Sequence, residues 1–177
     1  FEADWRALAE RAGFHCIDPR DSVETVLADI GQTGLLLTEA LHGAIVADAL
    51  RVPWITIRLY DRFSGFKWRD WTQSMQLPLS VFEIPPVYDR KLISRKGLTH
   101  AFKKVLATTG VGKNKWRQLR VRSSSDRAIN RSLQLMQKVA EEHTPCLSAE
   151  KHLHSLEIRL LEKLSEIREA WRNGKFV

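Results

Sequence analysis

Cysteine is scarce in this chain of 177 residues: Cys16 and Cys146 are the only two. They are far apart, fit no metal-ligand spacing and build no disulfide framework, which points to reduced thiols in a cytosolic setting. Cys16, inside an apolar run, reads as a small buried hydrophobe. Long hydrophobic runs are also lacking, so no stretch is long enough to cross a bilayer. No signal peptide is visible. The chain begins at Phe1 rather than at a methionine, so a fragment or a processed product is expected. Acid is nearly missing from residues 90–131, where Asp126 stands against 13 Lys/Arg, or 13 − 1 = +12. That basic run carries no helix-turn-helix, zinc-finger or RNA-module signature, so nucleic acid is not the expected partner. An anionic membrane face or an acidic lipid carrier is the expected one.

What is present is a globular composition, 44% hydrophobic and 28% charged, in a length that suffices for a real core. Charge is uneven. Residues 1–60 carry 5 Lys/Arg and 9 Asp/Glu, 5 − 9 = −4, and the rest carry 23 and 12, 23 − 12 = +11. The basic excess therefore belongs to the second part of the chain.

The stretch from Leu35 to Arg58 organises the rest. Leu35 to Leu37 is a short apolar run that reads as a buried strand. Thr38 to Leu41 makes a turn, and Gly43 opens a helix in which Ile45, Val46, Ala49 and Leu50 recur at helical spacing. Pro53 stops it, and Trp54 to Ile57 is a second strand. Strand, turn, short helix and strand make a βαβ unit with parallel strands. The turn after the first strand then lies at the carboxyl edge of the sheet, where such folds bind ligands. The helix behind it points unpaired N–H groups and a positive dipole end into that crevice. Gly43 lets an anion approach the backbone. Glu39 and His42 sit beside this seat and can move protons near neutral pH. The alternative is that His42 only caps or packs.

Around this unit the pattern predicts an amphipathic helix over 3–12 ended by Gly13, then a strand from Phe14 to Ile17. A helix capped by Asp21 or Ser22 follows, with Val23, Val26, Leu27 and Ile30 as its buried stripe. Asp18-Pro19-Arg20 closes the strand, and Arg20 either reaches a sugar or phosphate or pairs with Asp18 or Asp21. A polar loop containing Arg58 borders the crevice. A helix opened by Phe66-Lys67-Trp68 follows, with Phe66, Trp71 and Met75 as its packing stripe. Lys67 in its first turn either brings a cation to the anion seat or stays solvated. Pro78 to Ile84 is the last strand. Gly110 and Gly112 precede Lys113-Asn114, which is not the order of a phosphate loop, so they mark a helix end and a turn. A helix over 126–142 is expected, with Ile129, Leu133, Met136 and Val139 on one side. Ser148 caps a final helix whose Leu153, Leu156, Leu160, Leu164, Ile167 and Trp171 form a buried, coiled-coil-like seam suited to dimerisation. His152, His154 and Glu150 or His143 imitate a metal cluster, but residues two apart on a helix do not face each other, and no metal is assigned.

The chain resembles the polysaccharide pyruvyl transferase family, in particular the branch that forms ketals in bacterial exopolysaccharide (succinoglycan-type) assembly. The likeness is carried by Asp18-Pro19-Arg20, by Glu39-Ala40-Leu41-His42-Gly43-Ala44-Ile45-Val46-Ala47-Asp48-Ala49-Leu50, by Val52-Pro53-Trp54 and by Phe66-Lys67-Trp68-Arg69-Asp70-Trp71. It runs from Gly13 to Tyr88. The resemblance implies a Rossmann-like α/β lobe over residues 1–92, the C-terminal half of a GT-B-like fold with a second lobe upstream, and a basic helical extension over 93–177. It implies phosphoenolpyruvate as donor substrate with no cofactor, and a lipid-linked or polymeric saccharide acceptor at the cytoplasmic side of the inner membrane. His42 and Glu39 are then the catalytic pair. The Gly43 and Ala44 amides, Lys67 and Arg58 hold the donor anion, and Arg20 is a further substrate contact. Many members carry an arginine two residues before the histidine, where this chain has Ala40, so another cation is expected to hold the donor phosphate. The rival readings are a GT-B-type glycosyltransferase or epimerase lobe that binds a nucleotide sugar, and a basic docking module for a membrane or partner.

Overall fold

The computed structural model describes residues 3–60, 63–89 and 123–174. Most of the basic run, the Gly110–Gly112 turn and the boundary near residue 92 lie outside the described residues. Helix α1 (Trp5–Arg11) is capped by Asp4 and ends at Gly13, whose φ of +76° suits a residue without Cβ. Helix α2 (Val23–Gln32) starts on Ser22, whose side chain accepts from the Thr25 N–H. Strand β1 (Leu36–Thr38), helix α3 (Leu41–Ala49) and strand β2 (Trp54–Arg58) form the βαβ unit. Helix α4 (Gly65–Ser74) and strand β3 (Val81–Glu83) repeat the pattern. Helices α5 (Asp126–Glu142) and α6 (Glu150–Arg172) close the chain.

The sheet has the order β1-β2-β3, with both pairings parallel. The fold is thus α/β with a parallel sheet and a helical C-terminal region, as the pattern implies. Side chains alternate across β2. Ile55 and Ile57 face a core shared with Leu8 and Ala12 of the α1 region and with Leu133, Met136 and Val139 of α5. Trp54 faces the other core, shared with Ala44, Ala47 and Trp68. Helices α3 and α4 therefore cover one face of the sheet, and α1 and α5 the other. Trp54 also lies close to Trp68 and Trp71, with ring centroids 5.9 and 5.3 Å away.

Several expectations are corrected. Phe14 to Ile17 pairs with no strand. Its side chains enter the two cores, Phe14 one and Ile17 the other, but its backbone joins no ladder. Of the α2 stripe only Ile30 is buried, while Val23 and Leu27 are exposed. Helix α3 begins at Leu41, two residues before Gly43, and its buried face is Ala44, Ala47 and Asp48 rather than its large residues. On α4 the buried positions are Trp68 and Thr72, and Phe66 is exposed. The expected seam of α6 is not buried at all. Ser148 does not cap α6; it binds Asp48 instead. In α2 and α6 the spacing finds an apolar stripe, but whether a neighbour covers it depends on distant chain; in α3 and α4 the buried positions differ from those that spacing singled out.

Candidate active-site rim

The parallel order puts the ends of all three strands, and the starts of α3 and α4, on one rim. Thr38 ends β1. Its hydroxyl accepts from the Ala40 N–H at 3.1 Å and donates to the Ala40 carbonyl at 3.0 Å, which folds the chain sharply into α3. The helix then packs very close to the strand. A Cβ on Gly43 would lie 2.8 Å from Thr38 Oγ1. The missing side chain of Gly43 is thus explained first by this approach to Thr38.

Because α3 starts at Leu41, its free amides differ from the expected pair. The Ala44 N–H donates to the Ala40 carbonyl at 3.3 Å and is used up inside the helix. The Leu41, His42 and Gly43 N–H groups have no partner among the described residues. Ala40, at the cap position, offers no side-chain hydrogen bond. His42 is exposed in the first turn of α3.

Glu39 is half-buried and faces the next loop. Its Oε1 accepts from the Leu59 and Tyr60 N–H groups at 2.9 and 2.8 Å. Tyr60 in turn donates its hydroxyl to the Val87 carbonyl at 2.7 Å and accepts from the Trp5 indole at 3.2 Å. Glu39 therefore ties the loops after β1 and β2 together, and Tyr60 ties them to the segment after β3. The Glu39 Oε2 has no partner among the described residues.

Trp54, Thr56 and Arg58 share the α3 and α4 face by alternation. Arg58 meets Glu83 across the β2–β3 pair, Nη2 to Oε1 at 2.5 Å, so this cation already has a carboxylate. Lys67 is exposed in the first turn of α4. Thr56 is fully buried, and its hydroxyl has no partner among the described residues. Arg20 takes its alternative role, gripping Asp18 through Nε and Nη2. That grip and the Arg20 N–H hold the Asp18 carboxyl down at about 2 and raise the guanidinium. Burial pushes both cysteine thiols up, and both are free. The three histidines of the C-terminal segment have separate neighbours. His152 lies 2.7 Å from the Ser74 carbonyl, His154 lies 3.7 Å from Glu157, and His143 packs on Phe82.

Sequence reasoning missed a second cluster, at the other end of α3. Asp48 is buried there. Its Oδ1 accepts from the Ser148 N–H at 2.8 Å and the Trp54 indole at 3.2 Å, and its Oδ2 from the Ser148 hydroxyl at 2.5 Å. Arg51 adds bonds to the Ser148 hydroxyl and carbonyl at 3.1 and 2.6 Å. No local signal links residues 48 and 148. The turn from Thr38 was expected from the sequence, and Thr38 stands two residues before the Ala40 cap position.

Neither a family model nor a solved structure matches the chain. Among curated proteins, it is 38% identical over 81 residues to the "Succinoglycan biosynthesis protein ExoV" of Rhizobium meliloti (strain 1021). The aligned part is 46% of this chain and 26% of that relative, so the chain spans about a quarter of the relative's length.

Proposed function

We propose that the chain is a lobe of an enzyme of bacterial exopolysaccharide biosynthesis, and more closely of a pyruvyl transferase that builds a ketal from phosphoenolpyruvate on a sugar of the repeat unit. The coarser reading is supported by the similarity to a succinoglycan biosynthesis protein. The observation that carries the finer one is the exposed His42 in the first turn of α3, whose three leading amides have no partner among the described residues, with Glu39 fixed in the preceding turn by the Leu59 and Tyr60 amides.

The reaction makes definite demands. The methylene carbon of the donor takes a proton, which leaves positive charge on the carbon next to oxygen. One sugar hydroxyl adds there and gives up its proton. The carbon–oxygen bond to phosphate breaks, and the second hydroxyl adds. One hydroxyl proton ends on the new methyl group and the other leaves with phosphate. In this reading the Leu41, His42 and Gly43 amides and the α3 dipole seat the phosphate. His42 protonates it as it departs, and the free Oε2 of Glu39 takes the acceptor proton. Ala44 has no part, because its N–H is committed. Lys67 supplies the cation that Ala40 does not, and Arg58 joins only by exchanging Glu83 for the donor. The acceptor is a lipid-linked or polymeric saccharide. The basic run over 90–131 holds the enzyme peripherally to the cytoplasmic face of the inner membrane.

The test is phosphate release and ketal formation by the full-length enzyme given phosphoenolpyruvate and lipid-linked acceptor. His42→Ala should lower turnover on the order of 10²–10⁴-fold. Near-normal turnover would remove His42 from the site. Thermal stabilisation by nucleotide sugars, with none by phosphoenolpyruvate, would favour a glycosyltransferase or epimerase.

A further inference from the structure

We propose that the exposed apolar face of α6 is a dimer interface, on which α6 of a second copy of this chain lies antiparallel. The helix has 23 residues, a length of about 35 Å. None of its residues is buried. Leu160, Leu164, Ile167 and Trp171 are 66%, 51%, 54% and 73% exposed. With Leu153 and Leu156 they recur three, four or seven residues apart and make one continuous stripe. Single exposed hydrophobics are ordinary, but a contiguous stripe of this size marks an interaction surface. Among the described residues the start of the helix is held by the lobe, through Ser148 on Asp48 and His152 at the Ser74 carbonyl.

Charge selects the occupant and its direction. From Glu150 to Arg172 the helix has five Glu and five Lys/Arg, 5 − 5 = 0. A helix built for an anionic membrane carries a basic polar face, and this one does not. Along one flank of the stripe Glu157 comes first and Arg168 later. A two-fold axis across the helix brings this flank against itself in reverse. With the axis between Leu160 and Leu164, Glu157 of each copy meets Arg168 of the other, and Leu153 meets Trp171. Parallel pairing in register would instead oppose Lys163 and Arg168, which have like charge. Leu160 and Leu164 at the centre of such a contact supply its anchors, and Trp171 packs at each end.

The test is sedimentation equilibrium of the full chain across roughly 1 to 100 μM. The unchanged chain should be a dimer. Leu160→Glu with Leu164→Glu should raise the dissociation constant at least about 100-fold. Both side chains are exposed on the single chain, so helix content should hold in that variant. Glu157→Arg and Arg168→Glu should each weaken the dimer, and together they should restore it. A chain that stays monomeric over this range overturns the proposal, and so does a dimer untouched by the two glutamates. Failure of the double charge swap to restore pairing overturns the antiparallel arrangement.

Discussion

The two ends of α3 are built on opposite principles. At the carboxyl-terminal end the buried carboxylate is matched. Asp48 is buried, and its carboxylate oxygens are filled by Ser148 and the Trp54 indole. At the amino-terminal end three amides have no partner among the described residues, and His42 in the same turn is exposed. Both ends sit on the same short helix, packed on the same strands through Ala44 and Ala47. In the proposed function the open end is the seat of the donor phosphate. The closed end then explains how the open end is held still.

This contrast can be broken from either side. The largest expected effect is that of His42→Ala on turnover, with melting temperature unchanged, because an exposed side chain contributes little to stability. Asp48→Ala should do the reverse. It strands the Ser148 and Trp54 donors in the interior and should cost about 2–4 kcal/mol, read by denaturant unfolding, while an enzyme kept folded retains its donor affinity.

Gly43→Ala should be felt at both ends. Its new Cβ would press on Thr38 Oγ1 at 2.8 Å, backed by the Thr38 Cβ at 3.6 Å. A cost of about 1–3 kcal/mol is expected. Thr38→Ala in the same chain should recover part of it, as a double-mutant cycle on unfolding would show.

A smaller effect is expected at Thr56, whose buried hydroxyl lacks a partner. Thr56→Val removes that hydroxyl at nearly constant shape and should leave stability equal or raise it by up to about 1 kcal/mol. A loss of stability would mean that the hydroxyl is satisfied in solution.

The smallest effect concerns Asp18, which Arg20 holds at about 2 against an ordinary 3.8. A carboxyl depressed in the folded state adds stability above its unfolded value, and the contribution is lost as pH falls from about 4 through about 2. Arg20→Ala should return the Asp18 titration, followed by NMR, toward 3.8.

How much of this was legible in the sequence follows from range. The βαβ unit was legible because Leu35–Leu37, Pro53 and Trp54–Ile57 are local signals. The 126–142 helix was legible from its serine cap and apolar spacing. Phe14–Ile17 was not, since a run of four apolar residues looks the same with or without a strand to pair with. The stripes of α2 and α6 were visible, but periodicity names a face and not its neighbour. Val23, Leu160 and Leu164 therefore came out exposed. The rim was legible as to place. The helix start was two residues off, which moved the open amides from the expected Gly43 and Ala44 to Leu41, His42 and Gly43. Glu39 was visible as an acid near a histidine, but its grip on the Leu59 and Tyr60 amides depends on chain twenty residues away. The Asp48–Ser148 lock spans a hundred residues, and nothing local announces it.

The most direct measurement is an NMR titration of the labelled chain with phosphoenolpyruvate, following backbone amides at both ends of α3. The account predicts saturable shifts at Leu41, His42 and Gly43, with Asp48 and Ser148 unmoved. Saturable shifts confined to other parts of the fold, or none at these three amides at saturating donor, would contradict it.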